Sequence, residues 1–426
     1  MSTLLIEGGQ RLSGSVDVEG NKNAALPLLA ACLLTADECV LTNVPRISDV
    51  EVMARLILDL GGEVEGIGST TLRVRCPSIV KDEPDPALVG RLRGSVLLLG
   101  PLLARRGRAH LASPGGDFPA RRTLNTHLEA LEAMGARRIQ GSGHALAAPD
   151  GLRPTSFYLY EASVTGTETA LLAAAGAPGT TEIRHAACEP HVVELCAFLE
   201  QLGVGISGAG TSTIRIEGGA RLRGAEHRLW GDYIEAGSWA VVAAVTGGDI
   251  DVHGARAEDM EVVASVLTRL GIDCSMDDDV FHVRQSRLRA AGRITTSLWP
   301  GFPSDLVSLV TVLATQAEGQ TLVHDWMYEL RLFALEQLSG MSADLFLCDP
   351  HRIIVTGPKK LRGRPLDSRD LRSGMALIAA ALAAEGESVV TPLETVERGY
   401  ASLIDRLRGL GAQVERIANS GSGIRD

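Results

Sequence analysis

The chain lacks several features that would narrow its function at once. Aromatic residues make up only 4% of its 426 residues, which suits small helices packed on sheets better than an aromatic-rich binding face. There is no basic excess: 52 acidic residues against 41 Lys and Arg leave a net charge of −11. General affinity for nucleic acid needs a basic face, so no nucleic-acid partner is expected. A few arginines in one cleft still make a local positive field for an anionic metabolite. The seven cysteines (Cys32, Cys39, Cys76, Cys188, Cys196, Cys274 and Cys348) show no CxxC spacing. An odd, dispersed set points to buried reduced thiols and away from a disulfide framework or a zinc site. The ten histidines form no HxH or HExxH arrangement, so no metal is expected. No GxxxxGK[ST] loop is present and no GxGxxG opens a βαβ unit, which excludes the usual nucleotide cofactors. Apolar runs such as Val241–Gly247 and Met375–Ala384 fall far short of the roughly 20 residues a bilayer span takes. The start MSTLLIEGG has no basic segment followed by an apolar stretch, as a signal peptide would. No membrane partner and a cytoplasmic location are therefore expected.

What the chain does have is a repeat. A helix-like stretch ending in Leu or Met and a small residue occurs six times. The instances are LILDLGGEV, LEAMGARRI, LEQLGVGIS, LTRLGIDCS, LSGMSADLF and LRGLGAQVE, with the small residue at 61, 135, 203, 271, 342 and 411. The spacings are 74, 68, 68, 71 and 69 residues. Each copy opens with an Ala/Leu-rich helix such as NAALPLLAACLL or MALIAAALAAEG. A short β-branched stretch follows, then the second helix with its Gly stop, then alternating segments that read as strands. The unit reads as βαβαββ. Solenoid repeats run about 20–50 residues, so three units per domain is the better reading. The chain is long enough for two or three domains. The predicted domains are residues 22–229, and a discontinuous one made of 1–21 and 230–426, with a cleft between them. The polar tail IANSGSGIRD (417–426) reads as disordered.

The residues that could do chemistry cluster at equivalent places in these units, at helix starts and neighbouring turns. Lys22 and Asn23 lie in GNKNAALP, at a helix N-terminus suited to an anion. Arg93 opens the second unit's helix, and Arg122 follows a loop (113–121) rich in Gly and Pro that contains Asp117. Asp305 lies in GFPSDLV, Arg331 in YELRLF after Glu329, Asp370 and Arg372 in RDLRSGM, and Arg398 in ERGY. Taken singly, each reads more readily as a cap or a surface charge, Asp305 as an N-cap. Taken together, several guanidinium groups suit a small polyanion carrying both phosphate and carboxylate.

With GNKNAALP, LLGPLLARRG, SPGGD…ARR, SVTGTE, FPSD, DLRSG and ERGY in this order, the chain resembles the UDP-N-acetylglucosamine enolpyruvyl transferases. It is similar, more distantly, to the shikimate-pathway enolpyruvyl transferases, which would have a Lys-Ser pair where this chain has Lys22-Asn23. The likeness runs from about Leu5 to Ile417. It implies a two-domain inside-out α/β barrel of six βαβαββ repeats, three per domain. It also implies transfer of the enolpyruvyl group of phosphoenolpyruvate to a sugar-nucleotide hydroxyl, without a cofactor, in a monomer or weak homo-oligomer. Lys22, Asn23, Arg122, Arg331, Asp370, Arg372 and Arg398 would serve phosphoenolpyruvate, with Lys22, Asp117, Asp305 and Arg398 in catalysis. Asn23, Arg93, Arg122, Thr123, Leu124, Asn125, Thr126, Ser163, Val164, Asp305 and Met327 would line the sugar-nucleotide side. Asp305 would accept the proton of the attacking hydroxyl. The tetrahedral adduct would then lose phosphate, under domain closure that excludes water.

The chain departs from the family's pattern in three places. Asp117 stands where the family has a cysteine, and a carboxylic acid still serves as general acid if its pKa is raised. Asn125 stands for the aspartate that takes the uracil N3–H. Glu161 stands for a lysine that faces the diphosphate. Two alternatives therefore stand beside the main reading: the same chemistry on another acceptor such as a different nucleotide, or a non-catalytic ligand-binding paralogue.

Overall fold

The computed structural model describes residues 2–115, 123–141, 143–328 and 331–418. The chain divides into two compact units and crosses between them at Glu19/Gly20 and at Trp230/Gly231. Helices and strands alternate, and the fold is mixed α/β.

The unit that holds both chain ends carries three four-stranded sheets among the described residues. Ser2–Glu7 lies between Glu387–Thr391 and Gln413–Ala418, antiparallel to both, with Leu4 opposite Val390 and Arg416. Ser13–Asp17 joins Asp249–His253 in parallel, with Val16 opposite Val252. Alternation decides which face is buried: Ile250, Val252, Phe281 and Val283 point inward and are almost wholly enclosed. Inside lie three helices, Tyr233–Val245, Val307–Gln316 and Leu371–Ala383, packed on one another. Every residue of Tyr233–Val245 is buried, as a helix apolar all round requires. Each enclosed Leu, Ile or Val side chain contributes about 1.5–3 kcal/mol.

The other unit repeats the scheme. Two four-stranded sheets and one three-stranded sheet surround the helices Lys22–Cys32, Leu99–Arg106 and Val164–Gly176. Val164–Gly176 packs on both of its partners. Gly100 makes one of these approaches possible, because a Cβ there would lie 2.9 Å from Leu172 Cβ and Thr169 O.

The six repeat positions share one backbone conformation. Gly61, Gly135, Gly203, Gly271, Ser342 and Gly411 all have positive φ, between 75° and 108°, so each helix ends in the left-handed turn that glycine favours. Ser342 adopts it without that freedom, at φ 75°.

Some expectations need correction. Four cysteines are buried, but Cys188 and Cys274 are half-exposed and Cys348 is exposed: Cys188 lies in the loop before Pro190–Leu202, and Cys274 and Cys348 lie on edge strands. Ile417 and Ala418 belong to the strand Gln413–Ala418, held by Ser2 and Thr3, and the rest of the segment expected to be disordered, 419–426, lies outside the described residues. Asp117, Arg122 and Glu329 lie outside the described residues. Among the described residues, no helix is long and apolar enough to cross a membrane, and no group of three or more His, Cys, Asp and Glu is placed to hold a metal ion.

Candidate functional site

In the unit with the chain ends, Arg331 and Arg372 converge on Asp305. Asp305 sits in the short 3-10 turn Ser304–Leu306, capped by Pro303, so it is not the N-cap its sequence context suggests. Arg331 opens the turn Arg331–Glu336 and donates from Nη1 to Asp305 Oδ1 at 3.2 Å. Arg372, in the first turn of Leu371–Ala383, takes the other oxygen, with Nε at 3.1 Å and Nη2 at 3.0 Å from Oδ2. Both arginine side chains are nearly enclosed, at 7% and 6% exposed, while Asp305 keeps 30%. The enclosed guanidiniums thus present one carboxylate to solvent. Burial opposes the charge of Arg372, but Asp305, Tyr400 and Asp232 outweigh it and hold the group firmly cationic.

Each arginine is anchored from behind by a hydroxyl. Arg331 Nη1 donates to Ser304 Oγ at 2.9 Å, and Ser304 donates to Asp325 Oδ2 at 2.7 Å. The Arg331 guanidinium also lies 4.1 Å over the Tyr328 ring, a cation–π distance. Arg372 Nη1 donates to the Tyr400 hydroxyl at 3.4 Å, and Tyr400 lies 2.8 Å from Ser238 Oγ. Ser238 spends its own proton on the Ile234 carbonyl at 2.7 Å. Tyr400 must therefore donate to Ser238, which leaves its lone pairs for Arg372. Burial raises the Tyr400 pKa, so the phenol keeps its proton.

Asp370 caps the helix that carries Arg372, its Oδ1 accepting from the Arg372 and Ser373 amides at 3.1 and 2.9 Å. Arg398 ends the helix Leu393–Glu397 and is half-buried, two residues before Tyr400. Met327 donates its amide to Asp325 Oδ1 at 3.2 Å. Nearby, Glu235 is paired with Arg406, and its burial still pushes its pKa up to about 7.

In the other unit, Lys22 opens its helix beneath the cap Asn21, whose side chain accepts from the Asn23 amide at 2.8 Å. Lys22 Nζ lies 2.7 Å from Asp49 Oδ2, with both side chains largely enclosed. Arg93 Nη2 donates to the Thr123 carbonyl at 3.2 Å. Leu124 and Thr126 are buried, while Asn125 and Glu161 are exposed. Ser163 caps the helix Val164–Gly176 by accepting from the Gly166 amide. Thr126 lies against this cap, since a Cβ on Gly166 would be 3.1 Å from its methyl. His127 Nε2 is 2.8 Å from Thr165 Oγ1. Burial, then the charge of Arg93, lowers the His127 pKa to about 4 and keeps the ring neutral.

Of the residues expected from the sequence, Asp305, Arg331 and Arg372 come together; sequence reasoning misses what holds them: Ser304, Asp325, Tyr400 and Ser238. It also misses Asp49, His127 and Thr165. A serine or tyrosine beside a motif residue is the one signal that pointed there.

The EPSP synthase (3-phosphoshikimate 1-carboxyvinyltransferase) family pattern matches residues 6–407. The chain is 43% identical to the UDP-N-acetylglucosamine 1-carboxyvinyltransferase of Bradyrhizobium diazoefficiens, over 97% of each chain. It is 41% identical to the enzyme of that name from Treponema denticola, over 97% of this chain and 99% of the other. Among solved structures it is similar to the enolpyruvyl transferase NikO from Streptomyces tendae, with TM-score 0.88, 25% identity, and coverage of 97% of this chain and 99% of that one. The EPSP synthase of Acinetobacter baumannii, at 19% identity, TM-score 0.77, and coverage of 98% and 100%, shares the fold. The chain belongs to the EPSP synthase family of 1-carboxyvinyltransferases, the enolpyruvyl transferases.

Proposed function

We propose that the chain transfers the enolpyruvyl group of phosphoenolpyruvate to the 3-hydroxyl of UDP-N-acetylglucosamine, releasing inorganic phosphate, in the first committed step of peptidoglycan synthesis. The observation that carries this reading is Asp305: a partly exposed carboxylate held by two enclosed arginines, in a chain whose full-length relatives bear that name.

Asp305 takes the proton of the attacking hydroxyl as its oxygen bonds to C2. An acid, assigned to Asp117 by the resemblance, delivers a proton to C3. The tetrahedral adduct then loses a C3 proton as the C2–O bond to phosphate breaks. Lys22, Arg122, Arg331, Arg372 and Arg398 neutralise the phosphate and carboxylate, whose charge is present throughout. Asn23 and Asp370 complete the phosphoenolpyruvate set, Asp370 by capping the helix that carries Arg372. Arg93, Thr123, Leu124, Asn125, Thr126, Ser163, Val164 and Met327 are assigned to the sugar nucleotide. No cofactor is required.

The six positive-φ helix ends and the three sheets per unit support six βαβαββ copies, three to a domain, as an inside-out α/β barrel. The partners are small molecules, in the cytoplasm, in a monomer or weak homo-oligomer. Phosphate release from phosphoenolpyruvate with a panel of acceptors tests the reaction. Release with UDP-N-acetylglucosamine supports the proposal. Release only with another nucleotide, favoured by Asn125 and Glu161, overturns the acceptor, and no release with any acceptor overturns the reaction.

A further inference from the structure

The anchor behind Arg331 ends on a group that the reaction does not use. Asp325 is fully buried, yet among the described residues no cation touches its carboxylate directly. Its oxygens accept from Thr296 Oγ1 at 2.8 Å, from the Met327 amide at 3.2 Å and from Ser304 Oγ at 2.7 Å. Its backbone carbonyl accepts from His351 Nδ1 at 2.7 Å, so the residue is fixed at both ends. A buried carboxylate with three donors can only accept, which settles the direction of every bond in the chain. Ser304 must give its proton to Asp325, so its oxygen is left to receive from Arg331 Nη1. The same Nη1 is the nitrogen that reaches Asp305 Oδ1. Arg331 Nε is buried with no hydrogen-bond partner, so Nη1 carries the hydrogen bonding that orients the guanidinium against the Tyr328 ring.

We propose that Asp325 is a positioning residue for the reaction, acting through Ser304 to aim Arg331 at Asp305 and at the anion that Arg331 binds. The inference rests on the reading of Arg331 as a phosphoenolpyruvate ligand. A full negative charge one hydroxyl away from an enclosed guanidinium polarises that hydroxyl and strengthens the bond it accepts. The serine is also one residue from Asp305, so one short turn sets the arginine and the carboxylate together.

The test is calorimetric titration of phosphoenolpyruvate into wild type, Ser304→Ala, Ser304→Thr and the double variant Ser304→Ala/Asp325→Asn, with a crystal structure of Ser304→Ala. Loss of one charge-assisted hydrogen bond predicts binding weaker by roughly 10- to 100-fold in Ser304→Ala. Ser304→Thr, which keeps the hydroxyl, restores affinity to within a few-fold. The double variant binds no worse than Ser304→Ala, because the proposed route from Asp325 to Arg331 runs through that hydroxyl. In the crystal, Arg331 leaves Asp305 Oδ1. Unchanged affinity in Ser304→Ala, or a further loss in the double variant, overturns the proposal. If wild type itself binds no phosphoenolpyruvate, the donor reading fails. The crystal still decides the positioning: Arg331 remaining on Asp305 without the Ser304 hydroxyl refutes it, and Arg331 displaced upholds it.

Discussion

Arg331 and Arg372 hold opposite oxygens of Asp305, the first at 3.2 Å from Oδ1 and the second at 3.0 Å from Oδ2. The carboxylate proposed as the base is thus also the counter-ion of two groups proposed to bind the phosphate and carboxylate of the donor. An anionic ligand must compete with Asp305 for the same N–H donors.

Competition of this kind is measurable. Asp305→Asn keeps the shape but removes the charge, so phosphoenolpyruvate should bind about tenfold more tightly by titration. Turnover should fall by roughly 10²–10⁴, the usual contribution of a general base. Binding that weakens with the substitution would show that Asp305 presents the arginines to the ligand and does not compete for them.

The legible part of this site was charge at helix starts. Lys22, Arg93, Asp305 and Arg372 all fall in motifs beside apolar helices, and the repeat told which starts correspond. The φ-positive stop was readable as Leu-Gly in four copies and as Met134-Gly135 in a fifth, and Ser342, after Met341, kept its place in the series through spacing. What could not be read was the support behind the charges. Ser238 and Tyr400 lie 162 residues apart, and nothing local in WGDYIEAGS marks that serine as the acceptor of a tyrosine proton. Asp49 reads as an acidic residue in the first turn of Ser48–Asp59, where the helix dipole explains it fully. Its contact with Lys22 is tertiary. Asp370 reads as a ligand from its motif, and its cap bonds to the Arg372 and Ser373 amides are local.

The relay behind Arg372 predicts a second effect. Tyr400→Phe removes the acceptor of Arg372 Nη1 without emptying the buried space that the ring fills. One hydrogen bond to a charged group is worth about 1.5–3 kcal/mol, so kcat/KM should fall about 10- to 100-fold. Ser238→Ala should lose less, and adding it to Tyr400→Phe should cost almost nothing more, since both break one chain. Steady-state kinetics with urea unfolding alongside checks this. Additive losses, or losses that track stability, would argue for packing alone.

Glu168 predicts a pH effect on stability. It is fully buried, and burial first, then the charge of Glu189, raises its pKa well above the ordinary glutamate value. The folded state therefore keeps a proton that the unfolded chain gives up above about pH 4.3. A raised folded pKa means stability that is complete below that pH and declines as pH rises, with a slope of at most about 1.4 kcal/mol per unit. Glu168→Gln cannot titrate. Urea unfolding at intervals from about pH 5 to pH 8 should show the variant gaining on the wild type as pH rises. Parallel curves would place the proton elsewhere.

Asp117 offers the last test, and it turns on nucleophile chemistry. The resemblance sets Asp117 where the family's usual pattern has a cysteine, the thiolate that the epoxide fosfomycin would alkylate. A carboxylate is a much weaker nucleophile toward an epoxide carbon than a thiolate, yet as a carboxylic acid it can still deliver a proton. Wild type should therefore keep its activity through prolonged incubation with fosfomycin, and peptide mass spectrometry should find residue 117 unmodified. Asp117→Cys should remain active, because a thiol can also donate a proton, and should lose activity with time as the adduct forms on that residue. Asp117→Ala separates the two properties, since it should be inert to the epoxide and slow in turnover. An adduct on Asp117 in wild type would refute the chemical argument. Full turnover in Asp117→Ala would move the acid to another residue.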